Sequence, residues 1–128
     1  MTTILDAGGI SALAGRRGRL IELYARHDWL AQVPSVVLAE ALTGDHRRDH
    51  ATNRLLKLCE IHVVDHLLAR DAARLRTLTG RAGTISATDA IVAAFADSQH
   101  NPVILTNDPK DLMALAEHAK RPMTIHAA

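Results

Sequence analysis

The sequence predicts an α/β domain with a mainly parallel sheet, on three observations. Short β-branched apolar runs recur along the chain, longer segments of helical period separate them, and acidic residues stand just beyond the ends of two of the runs. The last is where an open parallel sheet places its ligands.

In chain order, the first strand is Thr3-Ile4-Leu5-Asp6, followed by helices near Gly9 to Ala14 and Gly18 to Arg26. Leu30 to Val33 forms the second strand. Pro34 ends it because proline cannot donate to a ladder, and Ser35 opens a helix running to Leu42 as its cap. A helix over Arg47 to Leu58 leads to the third strand, Ile61-His62-Val63-Val64. Helices over Leu67 to Leu78 and Ala87 to Asp97 follow, and Gly80 to Thr84 between them reads as the one flexible loop. Pro102 to Thr106 is the fourth strand, Pro109 to Ala116 the last helix, and Met123 to His126 the fifth strand. With no linker, low-complexity tract or repeat, residues 1-128 read as one domain.

A chain of 128 residues buries roughly two thirds of the surface it exposes unfolded, so it needs no staple. Apolar types make up 48% of it and aromatics only 2%, so Leu, Ile, Val and Ala must fill the core. Three rings, Tyr24, Trp29 and Phe95, are too few for a base-stacking platform, and any nucleic acid must be held through its phosphates. The net charge of +1 says little, but arginines cluster at 16, 17 and 19, at 47 and 48, and at 70, 74, 76 and 81. A lone Cys59 forbids an internal disulfide and reads as a small buried hydrophobe. The start, Met1-Thr2-Thr3-Ile4-Leu5, shows no secretory signal, and no apolar run is long enough to span a bilayer, so the expected location is the cytoplasm.

Four acids stand out. Asp6 closes the first strand, Asp108 follows the fourth, and Glu40 and Asp89 are lone carboxylates in apolar helical runs. A surface carboxylate on a helix usually has a cation three or four positions away, as Glu22, Asp71, Asp45 and Glu117 do. Glu40 and Asp89 have none, although neither does Asp97, which is assigned no function. Each acid also has a plain explanation: Asp108-Pro109 is a standard helix opening, Asp6 can cap the helix near Gly9, and the other two can face solvent. Gathered together, four carboxylates repel: two unit charges 4 Å apart cost roughly 4 kcal/mol at an effective dielectric of 20. A hard divalent cation relieves that best, and Mg²⁺ or Mn²⁺ accepts an all-oxygen ligand set without His or Cys.

The segments Ile4-Leu5-Asp6, Val33 to Glu40, Thr88-Asp89-Ala90 and Leu105 to Leu112 resemble the PIN domain of VapC toxins, above all in Thr106-Asn107-Asp108 directly after the fourth strand. The resemblance implies a three-layer α/β/α fold around a five-stranded parallel sheet. It also implies a type II toxin, a Mg²⁺- or Mn²⁺-dependent endoribonuclease with Asp6, Glu40, Asp89 and Asp108 as metal-binding catalytic acids. Thr106 and Asp111 would support them. The implied partners are an RNA substrate, a second copy in a homodimer, and a VapB-like antitoxin. Many members carry Thr or Ser after the first Asp, where this chain has Ala7.

Two alternatives stay open. One is a PIN fold that keeps its acids but only binds or regulates. The other is a receiver-type signalling domain with Asp65 as phosphoacceptor, though Leu5 and Ala7 deny Asp6 the paired acid such a domain needs. A second Asp two residues after Asp6 and a Gly-x-Gly-x-x-Gly fingerprint are both missing, which removes phosphatase and dinucleotide-binding readings. His46 and His50 have metal-ligand spacing but read as a solvated helix face, and His62 and His66 have it across a strand exit, which does not put them on one face.

Overall fold

Strands covered on both faces must be apolar on both sides, and strands at a sheet edge need not be. In β1 (Thr2–Leu5) and β4 (Pro102–Thr106) nearly every residue is buried, whereas β3 (Cys59–His62) and β5 (Thr124–Ala127) are half open. The computed structural model, which describes residues 1–26 and 30–128, arranges them accordingly. With β2 (Ala31–Pro34), they form one five-stranded sheet in the order β3-β2-β1-β4-β5, every pairing parallel. That order excludes a receiver domain, whose order is 2-1-3-4-5. Asp65 instead accepts the Leu68 N–H at 2.8 Å as a helix cap.

The helices are α1 (Ala7–Leu13), α2 (Arg17–Arg26), α3 (Leu38–Ala41), α4 (His50–Leu56), α5 (His66–Leu78), α6 (Ala87–Asp97) and α7 (Pro109–Ala116). Right-handed crossovers send α1 to α4 to one face and α5 to α7 to the other, giving three layers. The packing follows, with α1 against α2, α3 and α4, and α6 against α5 and α7. In α6 Ala90 and every residue from Val92 to Ala96 are buried, so the helix that carries Asp89 is set into the core.

Several boundaries depart from expectation for local reasons. Ser35 does not cap a helix: Ser35–Val37 is a 3₁₀ turn, and the serine hydroxyl accepts the Val64 N–H at 3.3 Å. The fourth helix starts at His50 rather than Arg47, because Asp45 accepts the Arg47 and Arg48 N–H groups and offers the backbone an alternative to helix. The third strand lies two residues earlier than the apolar run, with Val63 83% exposed beyond its end. Gly80 to Thr84, expected to be flexible, is a closed turn: the Arg81 carbonyl accepts the N–H groups of Thr84 and Ile85. Ile85, fully buried, anchors it with about 1.5–3 kcal/mol of apolar burial. No helix among the described residues is long and apolar enough to cross a membrane.

Candidate active site

The chain leaves β1 toward β2 on one side and β4 toward β5 on the other, so a crevice opens at the carboxyl ends of these two central strands. Asp6 stands there, one residue past β1 and 7% exposed. One carboxylate oxygen caps α1 by accepting the Gly9 N–H at 2.7 Å, and the other accepts the Thr106 hydroxyl from the end of β4 at 2.6 Å. Ala7 brings no hydroxyl to the crevice, and Thr106 supplies one directly to Asp6.

Gly8 and Gly9 make the approach possible. A Cβ on Gly9 would overlap the Leu105 backbone carbonyl, and one on Gly8 would overlap the Asn107 side chain. Small residues therefore let α1 start against the end of β4.

Asp89 lies in the first turn of α6, where its N–H donates to the Ser86 hydroxyl at 3.0 Å. Burial first, then the negative charge of Asp6, and less strongly those of Asp111 and Glu40, push its carboxyl up to about 6 against a pull from Ser86. Burial likewise raises Asp6, assisted by Glu40 and opposed by the Thr106 and Gly9 hydrogen bonds. Asp6, Glu40, Asp89 and Asp111 thus share one electrostatic neighbourhood, drawn from β1, α3, α6 and α7.

Asp108 enters differently. Its N–H donates to the Thr106 hydroxyl at 3.2 Å, while its exposed carboxylate caps α7 on the Lys110 N–H at 3.4 Å. The α7 acid whose charge weighs on Asp89 is Asp111, and its carboxylate is ion-paired to Arg81 at 3.0 Å.

A PIN domain family model matches residues 5–118. The chain belongs to the PIN domain family. Among solved structures, a VapBC2 complex of Rickettsia felis bound to a promoter DNA fragment superposes with a TM-score of 0.73 at 18% identity, covering 100% of this chain and 99% of that one. DNA-bound VapBC of Salmonella typhimurium gives 0.70 at 18% identity, over 99% and 98%. FitAB bound to a DNA fragment gives 0.64 at 20% identity, over 99% and 98%. At such identities these likenesses speak for the fold. No curated protein sequence matches the chain.

In this PIN domain no three Asp, Glu, His or Cys side chains among the described residues converge closely enough to hold a metal ion as they stand. The chemistry of the set still fits Mg²⁺ or Mn²⁺. Every donor is a carboxylate, their mutual repulsion is unrelieved at Asp6 and Asp89, and Mg²⁺ keeps several waters and binds through few protein ligands. Neither histidine pair of metal-ligand spacing joins it: His46 and His50 are exposed around the α4 start, and His62 and His66 lie either side of the β3 exit. Cys59, pushed up to about 12 by burial, stays a thiol and donates to the Leu55 carbonyl at 3.4 Å.

The acids set aside by sequence are accounted for elsewhere. Asp97 accepts the Lys120 and Arg121 N–H groups at 3.1 and 3.0 Å and fixes the turn before β5. Gly9 and Arg81 are the residues of the crevice that sequence reasoning missed. A Gly-Gly pair directly after a strand-end Asp was the available signal for the first, and nothing local marked the second.

Proposed function

We propose that this PIN domain, taken as the single domain 1-128, is the toxin of a type II toxin-antitoxin pair and cleaves RNA as a Mg²⁺- or Mn²⁺-dependent endoribonuclease. Asp6, Glu40, Asp89 and Asp108 serve as its metal-binding acids, with Thr106 and Asp111 in support. The observation that carries this is the unneutralised negative charge at the switch point, expressed in an Asp89 carboxyl held at about 6 by burial and by other acids. A fold stabilised for its own sake would have no use for such a cluster, and a cation-dependent site would.

Each residue then has a task. Thr106 donates to Asp6 and so fixes the orientation of that carboxylate, leaving its outward lone pairs for a ligand. Ser86 holds the first turn of α6 and with it Asp89. A divalent ion bound here would supply a polarised water and charge neutralisation at a phosphodiester. Binding it requires Asp89 to be ionised, so activity rises with pH through about 6. Homodimerisation, silencing by a VapB-like antitoxin and a cytoplasmic location belong to the same proposal, supported by the toxin-antitoxin complexes of similar fold.

The test is incubation of purified protein with RNA in Mn²⁺ or in chelator, alongside Asp6→Asn and Asp89→Asn. Cleavage by the parent in Mn²⁺ alone, lost in both variants, is expected. Cleavage that survives both substitutions removes the assignment, and RNA binding without cleavage by the parent identifies the regulatory alternative.

A further inference from the structure

The crevice repels the phosphates it is proposed to process, so something must hold an RNA strand against it. Arg81 is placed to do this. Its backbone is pinned: the N–H donates to the Thr79 hydroxyl at 3.1 Å, and the carbonyl accepts the Thr84 and Ile85 N–H groups at 2.9 and 3.0 Å and the Thr84 hydroxyl at 3.1 Å. Gly80, at φ 69, makes the turn that presents it, and buried Ile85 anchors the far end. The side chain crosses to α7 and meets Asp111 through one terminal nitrogen. The Arg81 side chain as a whole is 42% exposed. Arg76, by contrast, donates through Nε to the Ile85 carbonyl at 2.6 Å, a contact that holds the turn itself.

An exposed ion pair contributes little to stability, so the Arg81–Asp111 contact is a weak reason for a cation at this place. A guanidinium has five donors in a planar fork matched to a phosphate, and this one commits a single nitrogen to the protein. Among the described residues its contact is the one ion pair that reaches an acid of the crevice.

We propose that Arg81 is the phosphate-binding residue of this site: it seats a backbone phosphate of a single-stranded RNA beside the acidic crevice, with Asp111 orienting the guanidinium before the strand arrives. The proposal rests on the nuclease reading above and deepens it. Lys in its place keeps the charge but loses the two-pronged contact.

The experiment uses a fluorescent oligoribonucleotide in Mn²⁺. Binding is followed by anisotropy over a range of salt in the Asp89→Asn background, with and without Arg81→Ala, Arg81→Lys or Asp111→Asn. Cleavage kinetics compare the parent with Arg81→Ala. Arg81→Ala is expected to weaken binding about tenfold and to flatten the log–log salt slope by about 0.7, the value of one phosphate contact on a single strand. It raises KM about tenfold with kcat changed far less, and Arg81→Lys restores the salt slope but only part of the affinity. Asp111→Asn, which weakens the orienting contact but keeps the guanidinium, leaves the salt slope unchanged and lowers affinity far less than Arg81→Ala, which separates a phosphate contact from mere support of Asp111. A parent that cuts RNA while Arg81→Ala leaves affinity, salt slope and KM unchanged overturns the role of Arg81 and leaves the nuclease reading standing. A parent that neither cuts nor binds RNA removes both.

Discussion

Asp49 and Asp6 are nearly sealed from water, at 5% and 7% exposure, yet their surroundings treat their charge oppositely. Asp49, at the start of α4, accepts the Thr43 N–H, the Thr43 hydroxyl and the Gly44 N–H at 2.8–3.0 Å. Burial opposes its ionisation, but those donors and the Arg48 guanidinium prevail and hold its carboxyl below the usual range. At Asp6 burial prevails over the Thr106 and Gly9 donors, Glu40 adds to it, and the carboxyl is held above that range. Two buried carboxylates in one small domain therefore separate by whether donors and a nearby cation offset the cost of burial. The Asp49 turn is satisfied by the fold itself, and the Asp6 crevice keeps an acid whose charge its neighbours oppose.

The comparison breaks first on activity. Asp89→Asn or Asp6→Asn removes a charge the crevice needs and should lower metal-dependent RNA cleavage about a hundredfold or more, measured with a labelled RNA. Asp49→Asn should leave that rate near the parent's. Equal losses in both regions would mean that donor count does not separate a site from a structural anchor.

The next largest effect is mechanical. Gly9→Ala drives a methyl group into the Leu105 backbone carbonyl and should cost about 1–3 kcal/mol in denaturant unfolding. Gly83→Ala meets open space and should cost far less. If Gly9→Ala is tolerated with full stability, the close seating of α1 on β4 is not what fixes Asp6.

Much of this division was legible in the sequence, and the failures have physical causes. Asp6 stood out because it closes a strand, and Glu40 and Asp89 because no cation lies one helical turn away; that cation test also flagged Asp97, whose partners are backbone amides 23 and 24 residues on. The α6 and α7 boundaries were readable because Ser86 and Asp108 cap them locally. The start of α4 was not, because Asp45 and Asp49 spend their oxygens on the preceding turn. Asp108 and Asp111 share one helical first turn, and pattern alone does not show that one caps the Lys110 N–H while the other pairs with Arg81. Arg81 was invisible because its partner lies 30 residues away.

Asp49→Ala sharpens the structural half of the comparison. It leaves the Thr43 and Gly44 N–H groups without their acceptor and should lower Tm by roughly 4 °C, without loss of metal binding. A matching fall in Mn²⁺ affinity would join the two regions into one unit.

The smallest effect, and the one that sets both aspartates in a single curve, is the pH dependence of Tm in chelator. Asp49 is lowered in the fold, so its contribution is present above the unfolded value of 3.8 and is lost as pH falls through its folded one. Asp89 is raised, so its contribution is complete below 3.8 and is lost as pH rises through about 6, and Asp6 acts in the same direction. Stability should therefore fall on both sides, Asp49→Ala flattening the acid limb and Asp89→Asn the alkaline one. Mg²⁺ binds the ionised crevice and should raise Tm by about 3 °C at pH 7.5 when present at several times its dissociation constant, and by much less at pH 5. NaCl of equal ionic strength controls for screening, and a Mg²⁺ increment as large at pH 5 as at pH 7.5 would place the ion somewhere other than on Asp89.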